Sequence, residues 1–541
     1  MNFENNIQEC ECAQTDFNSE KDKDSSTVVK QTFAINKKDI LFAVGAVVCC
    51  VFTALFGIFN FALGYTLSTV MLTVLISLYF VNKQKIKLTS VFYGLLTVMN
   101  SAVFISTTNA SVKFFAVIIL FLLCIMFFDG FINTRRRGNK AVINTFYSAF
   151  SSVGNILISV KSLFDGNGSK KVIKVFIGMI CAIPMLIIIV PLLISSDDAF
   201  SGLVENIFSN SFNTILKIIL GLGMSLIVIS YGFSVKKGLS AQLKPCNFKG
   251  VENIYVISFL SVISACYLLY LFSQLAYFFS AFSGILPSGY KFNVSQYARK
   301  GFFEMCVIAV INLAVTALCI LLSKKNNGKL NYAIKAFCTF ISVFTLIIIA
   351  TAVSKMVLYI KSFGMTVLRI TTSSFMLFLA IVFISVILRI YISKINVLKT
   401  AIITAGCVIF VLGTVNVNAV SAKYNYEAYK TGRLKNIDIY AMYELGDEGI
   451  PYITKLACSK KPEIAKEAQY YLSQAYLYDY FDNNADSQSF TVDDLKEKQK
   501  YKGIKNYSIP KAEAYNSLYK FIEKNPSFSS SCQFLVNFYE W

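Results

Sequence analysis

The chain reads as an all-α, polytopic helical membrane protein of about 11 transmembrane helices with a small C-terminal α-helical domain outside the bilayer. Three observations lead there. The first is the stretch Lys171–Phe200, in which lysines precede twenty uncharged residues, Val175–Ile194, and a paired aspartate follows. At ~1.5 Å per residue a helix of that length spans ~30 Å, the thickness of the hydrocarbon core. The second is composition: 55% of the 541 residues are hydrophobic and only 15% charged, against about 25% charged in soluble domains. The third is the placement of charge. Residues 1–39 hold five basic and eight acidic residues and residues 423–541 hold sixteen of each, which leaves 30 basic and 7 acidic residues for 40–422. Those basic residues sit in short loops between apolar runs, as cytoplasmic topology signals do. They do not form the patch expected of a nucleic-acid binder, and no nucleic-acid partner is expected.

Residues 1–39 are polar, acidic and poor in aliphatics, and predict a disordered cytoplasmic tail. The start lacks a basic region, a short apolar core and a cleavage site, so the first span is expected to direct insertion itself. Ile40–Val81 is apolar over 42 residues, about twice a bilayer core, and is expected to fold into two spans with a turn near Asn60 and Gly64. Spans are then expected at about 89–107 and 113–131, closed by Arg135, Arg136 and Arg137. Residues 140–165 mix polar and apolar residues and predict an interfacial helix and a turn.

After the central span come an outer loop with Asp197 and Asp198 and a return span at 213–234. Spans at 253–281 and 301–323 flank an outer loop that contains Arg299. Spans at about 335–353 and 368–388 flank a second, SKMVLYIKSFGMTVLR, and a last span runs to about Val417. The N-terminus is thereby expected in the cytoplasm and the C-terminus outside. The domains are a tail at 1–39, a transmembrane domain at 40–418 and an extracytoplasmic helical domain at 419–541. In that last domain Ile464, Ala468, Tyr471, Leu472 and Ala475 recur three to four apart, the pattern of an amphipathic helix, and sixteen of the 30 tyrosines fall after residue 422. Tyrosine suits half-wet surfaces, which points to a module that touches a partner.

The chain has no histidine, which removes the commonest general base, metal ligand and nucleophile partner. Most of the fourteen cysteines lie in apolar runs, where a thiol behaves as a small hydrophobe, and no CxxC occurs. No metal or cofactor is expected. Asp165-Gly-Asn-Gly-Ser-Lys-Lys171 has the wrong spacing for a phosphate-cradling loop and reads as a turn. Asp129 beside three arginines reads as an interfacial ion pair.

Glu304 lies one turn into a span, where an ionised group costs ~2.5–3.5 kcal/mol. It is read either as a pair with Lys300, four residues away, or as a transport site. Arg299 and Arg369 fall in outer loops, where the positive-inside trend does not favour them. Asp197, Asp198, Arg299, Glu304 and Arg369 therefore form the candidate site, an ionic cluster at the outer rim.

SSDDAF, YARKGFFE, YIKSFGMTVLRI and NAVSAKYNYEAYKTGRL resemble landmarks of a family of bacterial inner-membrane proteins catalogued only as domain of unknown function 4173, related to the 4153 group. The resemblance covers roughly 40–480. The family tends to Tyr-Gly-Leu-Thr where this chain has Phe363-Gly-Met-Thr366, to Pro and an acid near Asn418, and to Arg at Lys423. It implies the architecture and brings no established activity. Two functions of different kind follow from the residues. The first is a non-enzymatic envelope scaffold or sensor, embedded in the lipid bilayer and binding an envelope protein through residues 423–541. The second is a transporter of a small solute, suggested by the span number, Pro184, Pro191 and Glu304. A membrane enzyme ranks third, since it would have to work without histidine.

Overall fold

The computed structural model describes residues 33–57, 61–81, 88–129, 131, 139–163, 189, 211–239, 250–283, 302–325, 330–392, 394–481, 506–525 and 528. Every regular element among them is a helix, apart from one isolated bridge between Val251 and Ser323. The helices are α1 (Lys37–Phe56), α2 (Leu63–Phe80), α3 (Leu88–Ser101) with its short continuation α4 (Val103–Ser106), and α5 (Ala110–Asp129). The segment expected to lie at the interface forms α6 (Asn139–Ser151), a 3-10 turn (Ser152–Asn155) and α7 (Ile156–Leu163). Long helices follow: α8 (Ser211–Lys237), α9 (Asn253–Ser283), α10 (Phe302–Leu322), α11 (Tyr332–Phe363), α12 (Val367–Tyr391) and α13 (Val397–Thr414). The C-terminal module holds α14 (Val417–Lys430), α15 (Ile439–Tyr443), α16 (Ile450–Ala457), α17 (Pro462–Phe481) and α18 (Ile509–Lys524).

Ten of the described helices are long and apolar enough to cross a membrane, with α3 and α4 counted as one. They include the spans expected at about 89–107 and ending at about Val417, here 88–106 and 397–414. Of the central stretch Val175–Ile194 only Ile189 is among the described residues. One boundary differs from expectation. The outer loop anticipated at 354–369 is mostly helix, and only Gly364, Met365 and Thr366 separate α11 from α12. No helix breaker precedes Gly364, and a lysine such as Lys361 marks polarity without stopping a helix. Gly364 does stop it, at φ +80°, in the left-handed region that favours glycine.

Hydroxyls inside the spans are absorbed locally. Thr69, Thr73 and Ser77 each donate to the carbonyl four residues back, at 2.8–3.0 Å, which keeps polar groups from facing lipid unsatisfied. Close packing uses small residues. A side chain at Gly221 would meet the Val51 backbone, and one at Gly232 would meet the Phe42 ring. Those two contacts fix α1 and α8 as antiparallel neighbours.

The spans pack in two groups. α1, α2, α3, α5, α8 and α13 enclose one core around Phe42, Ile76, Leu123, Met126 and Phe233. α10, α11 and α12 enclose another around Phe344, Met376 and Phe383, with α9 against it through Tyr267 and Tyr270. α12 packs on α13 and joins the two groups. Outward-facing side chains such as Leu41, Leu78, Leu269 and Leu377 are exposed and apolar, as a surface bathed in lipid requires.

The bundle has two ends, marked here by Asp39 and by Glu448. The turn between α1 and α2, residues 107–109, Gly364–Thr366 and the α13–α14 junction all lie at the Glu448 end. Lys236, Lys237 and α7 lie at the Asp39 end, where the Phe33 amide donates to Ser162 Oγ at 3.2 Å. Leu163 and Ser211 therefore stand at opposite ends, and the central stretch falls between them in the chain.

Candidate functional site

A buried polar cluster lies at the seam where the C-terminal module meets the spans. It starts at Asn416, the residue that ends the last span and caps α14. Asn416 is left-handed at φ 57°, a conformation asparagine tolerates better than most residues, so the chain turns sharply out of α13. Its side chain then serves three elements. Nδ2 donates to the Ser106 carbonyl at 2.9 Å and to Glu448 Oε1 at 3.1 Å. Oδ1 accepts from the Ala419 amide and from Thr107 Oγ1, both at 3.3 Å.

Glu448 comes from the 3-10 turn before α16 and is 4% exposed. Its carboxylate accepts from the Thr108 amide at 2.8 Å, from the Thr108 hydroxyl, and from Thr107 Oγ1 at 3.4 Å. Lys113, on the first turn of α5, contributes an attractive charge toward it. A buried anion is tolerable only with donors of this kind around it. Beside it, Asn109 Nδ2 donates to Asn418 Oδ1 at 2.8 Å, and Asn418 Nδ2 donates to the Leu445 carbonyl at 3.0 Å.

A second contact ties the module to the other group of spans. Asn425 on α14 accepts from the Met365 amide and donates to the Met365 carbonyl, each at 2.8 Å, and Ser421 Oγ donates to the same carbonyl at 2.8 Å. The side chain thus pairs with that backbone as a neighbouring strand would. A third contact, from the Leu63 amide to the Tyr507 carbonyl at 3.2 Å, reaches the α1–α2 turn. Behind the seam the module has its own core, built on Ile439, Ile453, Leu456, Leu472, Leu518 and Ile522.

The opposite end carries a buried carboxylate too. Asp39 is wholly buried in the first turn of α1. It accepts from Lys236 Nζ at 2.6 Å, from Lys237 Nζ at 3.1 Å, from Tyr79 Oη at 2.9 Å and from the Asn36 amide at 3.0 Å. Lys236 also lies 3.7 Å from the centre of the Tyr79 ring, which stacks on Phe42. The two lysines thus clamp α8 to α1 and α2.

Of the five residues of the candidate rim cluster, Asp197, Asp198 and Arg299 lie outside the described residues, as do Lys300, Pro184, Pro191 and Asp165–Lys171. The Asp129 side chain is likewise outside them. Glu304 is exposed in the first turn of α10, where a carboxylate complements the helix dipole. Arg369 is also at the Glu448 end. Its Nη1 donates to the Phe363 carbonyl at 3.2 Å and to the Gly364 carbonyl, and its guanidinium lies 4.0 Å from the centre of the Tyr359 ring. It therefore caps the C-terminal end of α11.

The residues that make the seam were not singled out from the sequence. Their signal was faint: three asparagines, Asn416, Asn418 and Asn425, just past the last span, and the polar run Thr107-Thr108-Asn109 between two apolar ones. The two landmark stretches that fall on described residues, YIKSFGMTVLRI and NAVSAKYNYEAYKTGRL, meet each other through Met365 and Asn425.

Comparison with known proteins adds the family. No curated protein and no solved structure matches the chain. The profile of a domain of unknown function, DUF4153, matches residues 69–456, from α2 through the turn carrying Glu448 and nearly all of α16. With that match over most of its length, the chain belongs to the DUF4153 family of domains of unknown function.

Proposed function

We propose that this protein is a non-enzymatic scaffold or sensor of the bacterial cytoplasmic membrane, with its N-terminus in the cytoplasm and its C-terminal module outside, binding an envelope protein. The observation that carries the reading is the seam. Glu448 and Asn416 hold the module to the α4–α5 loop, and Asn425 holds it to the α11–α12 loop. A module held on both groups of spans transmits a load or a shift from its surface into the bundle, which a tethered, freely moving domain would not. The orientation is supported by charge: Lys37, Lys38, Lys236, Lys237, Lys324 and Lys325 gather at the Asp39 end, which the positive-inside trend assigns to the cytoplasm. Within the family, the landmark stretches favour the 4173 group.

The partner surface is placed on the tyrosines of the module. Tyr440 and Tyr470 are half exposed, and the ring of Tyr471 lies 5.8 and 5.2 Å from theirs. A hydrogen bond to Glu444, with that carboxylate's charge beside it, holds the Tyr440 phenol above its ordinary range. Exposed tyrosines present broad amphipathic area at low entropic cost, as protein-binding surfaces do.

A photo-crosslinking residue placed at Tyr440 or Tyr470 in full-length protein in cells tests this. The reading predicts one discrete protein adduct from both positions and none from Leu269, exposed in mid-span on α9. No adduct, or the same pattern from all three positions, contradicts it. The second reading, transport of a small solute, draws on one feature: the half-buried Tyr267 and the buried Asn312 and Thr345 form a hydrogen-bonded chain between α9, α10 and α11. Buried polar side chains between spans can line a substrate path.

A further inference from the structure

A cavity of about 470 Å³ lies among α1, α2, α5, α6 and α8, within the membrane-spanning part of the bundle. Its floor is made by Cys50, Leu120, Ile125, Phe128 and Tyr231, all buried. Its rim carries Phe121, Phe150, Val153 and Ile227, all exposed at 45% or more, so it opens sideways between helices, toward lipid. No charged residue lines it. Of the hydroxyls that do, Thr53 donates to the Cys49 carbonyl, and Ser68 and Thr69 both donate to the Tyr65 carbonyl. Those three hydroxyls are spent on their own helices; the phenols of Tyr65 and Tyr231 also line the cavity, and the rest of the lining is apolar or thiol.

Size and surroundings decide what occupies it. Small-molecule sites run to ~300–1,000 Å³, and an apolar void of ~150 Å³ already stays dry and takes up apolar ligands. At the depth of the spans the surrounding solvent is hydrocarbon, so the competing filler is an aliphatic chain. The shape fits one. On α5 the lining runs from Val117 to Phe128, which at ~1.5 Å per residue is a slot of about 16 Å, close to half of a ~30 Å hydrocarbon core. We infer that this cavity is a binding site for a single acyl chain of a membrane lipid or fatty acid, entering past Phe121 and Phe150. The scaffold reading does not depend on it.

The test uses full-length protein purified in mild detergent. Wild type is expected to retain about one equivalent of lipid or fatty acid through detergent exchange, read by native mass spectrometry. The cavity-filling variants Cys124→Trp and Thr69→Phe are expected to lose it at least tenfold, and Leu269→Trp, on the outer face of α9, is expected to keep it. Equal retention in all four means lipid bound only at the general surface and overturns the site. Absence of a retained chain in wild type also overturns it, and includes the case in which the chain's own stretch Val175–Ile194 fills the cavity. A second measurement survives a variant that fails to fold. Brominated fatty acid is titrated against Phe150→Trp, with Trp541 replaced by Phe. Saturable quenching, against a linear response at Leu269→Trp, supports the site, and a linear response at both positions refutes it.

Discussion

Glu448, in the C-terminal module, accepts both the amide and the hydroxyl of Thr108, in the loop between two spans. The carboxylate is buried, and it meets donors on Thr107 and Asn416 as well. Removing it strands several donors at once. Glu448→Ala is expected to destabilise the detergent-solubilised protein by about 3 kcal/mol, since hydrogen bonds to a buried charge are each worth ~1.5–3 kcal/mol and the loop relaxes in part. Glu448→Gln keeps an acceptor for the Thr108 amide and should lose only about 1 kcal/mol. Thermal unfolding of the three proteins side by side checks the order, and equal losses for Ala and Gln would contradict it.

Asn425 and Gly364 make the second tie, and their substitutions should act locally. Asn425→Ala removes the partner of the Met365 amide. Hydrogen exchange at residues 364–366 is expected to quicken while residues 107–109 stay protected. Gly364→Ala should cost more, about 2–3 kcal/mol. Alanine is strained at a φ of +80°, and its Cβ would come within 2.7 Å of Asn425 Oδ1. A neutral Gly364→Ala would mean that the loop is not held as described.

At the other end, Asp39→Asn takes the charge from between Lys236 and Lys237, which are 12% and 21% exposed. Losing one partner of a buried ion pair costs ~3–5 kcal/mol, and the partial access of water to the lysines puts the expected loss near the lower figure. Lys236→Met should recover part of it in the double variant, because the stranded cation is then gone too. Simple addition of the two losses would show that the groups do not act as one clamp.

We propose that, at the outer rim, Asp197 or Asp198 pairs with Arg299 or Arg369. Arg369→Gln alone should cost about 1 kcal/mol, from the α11 carbonyls and the Tyr359 ring. If an aspartate also pairs with Arg369, combining that change with Asp197→Asn or Asp198→Asn costs less than the sum. Strict additivity for all four Asp–Arg pairings would leave Arg369 as a helix cap and nothing more.

What was legible in the sequence was the membrane part. Hydrophobic runs of bilayer length announce themselves, and the expected spans that fall on described residues match the helices to within a few residues, except where α11 continues through Lys355 and Lys361 to Gly364. That extension was hidden because charge was read as the end of a span, whereas a helix ends where its backbone must change hand. The seam was illegible for another reason. Glu448 and Thr108 are 340 residues apart, and nothing in either neighbourhood marks the other. Asp39 was read as one acid among eight in a polar tail, because its value comes from two lysines almost 200 residues later. A carboxylate is conspicuous in sequence only when its partner is near it in the chain, and neither of these partners is.

The most direct test of the account is the side of the membrane on which the module sits. Cys458, just past α16, is free and exposed on the module. An impermeant maleimide applied to intact cells, followed by peptide mapping, should label Cys458 to the same extent as it does after lysis. Labelling of Cys458 only after lysis would place the module in the cytoplasm, reverse the bundle and remove the basis for an envelope partner.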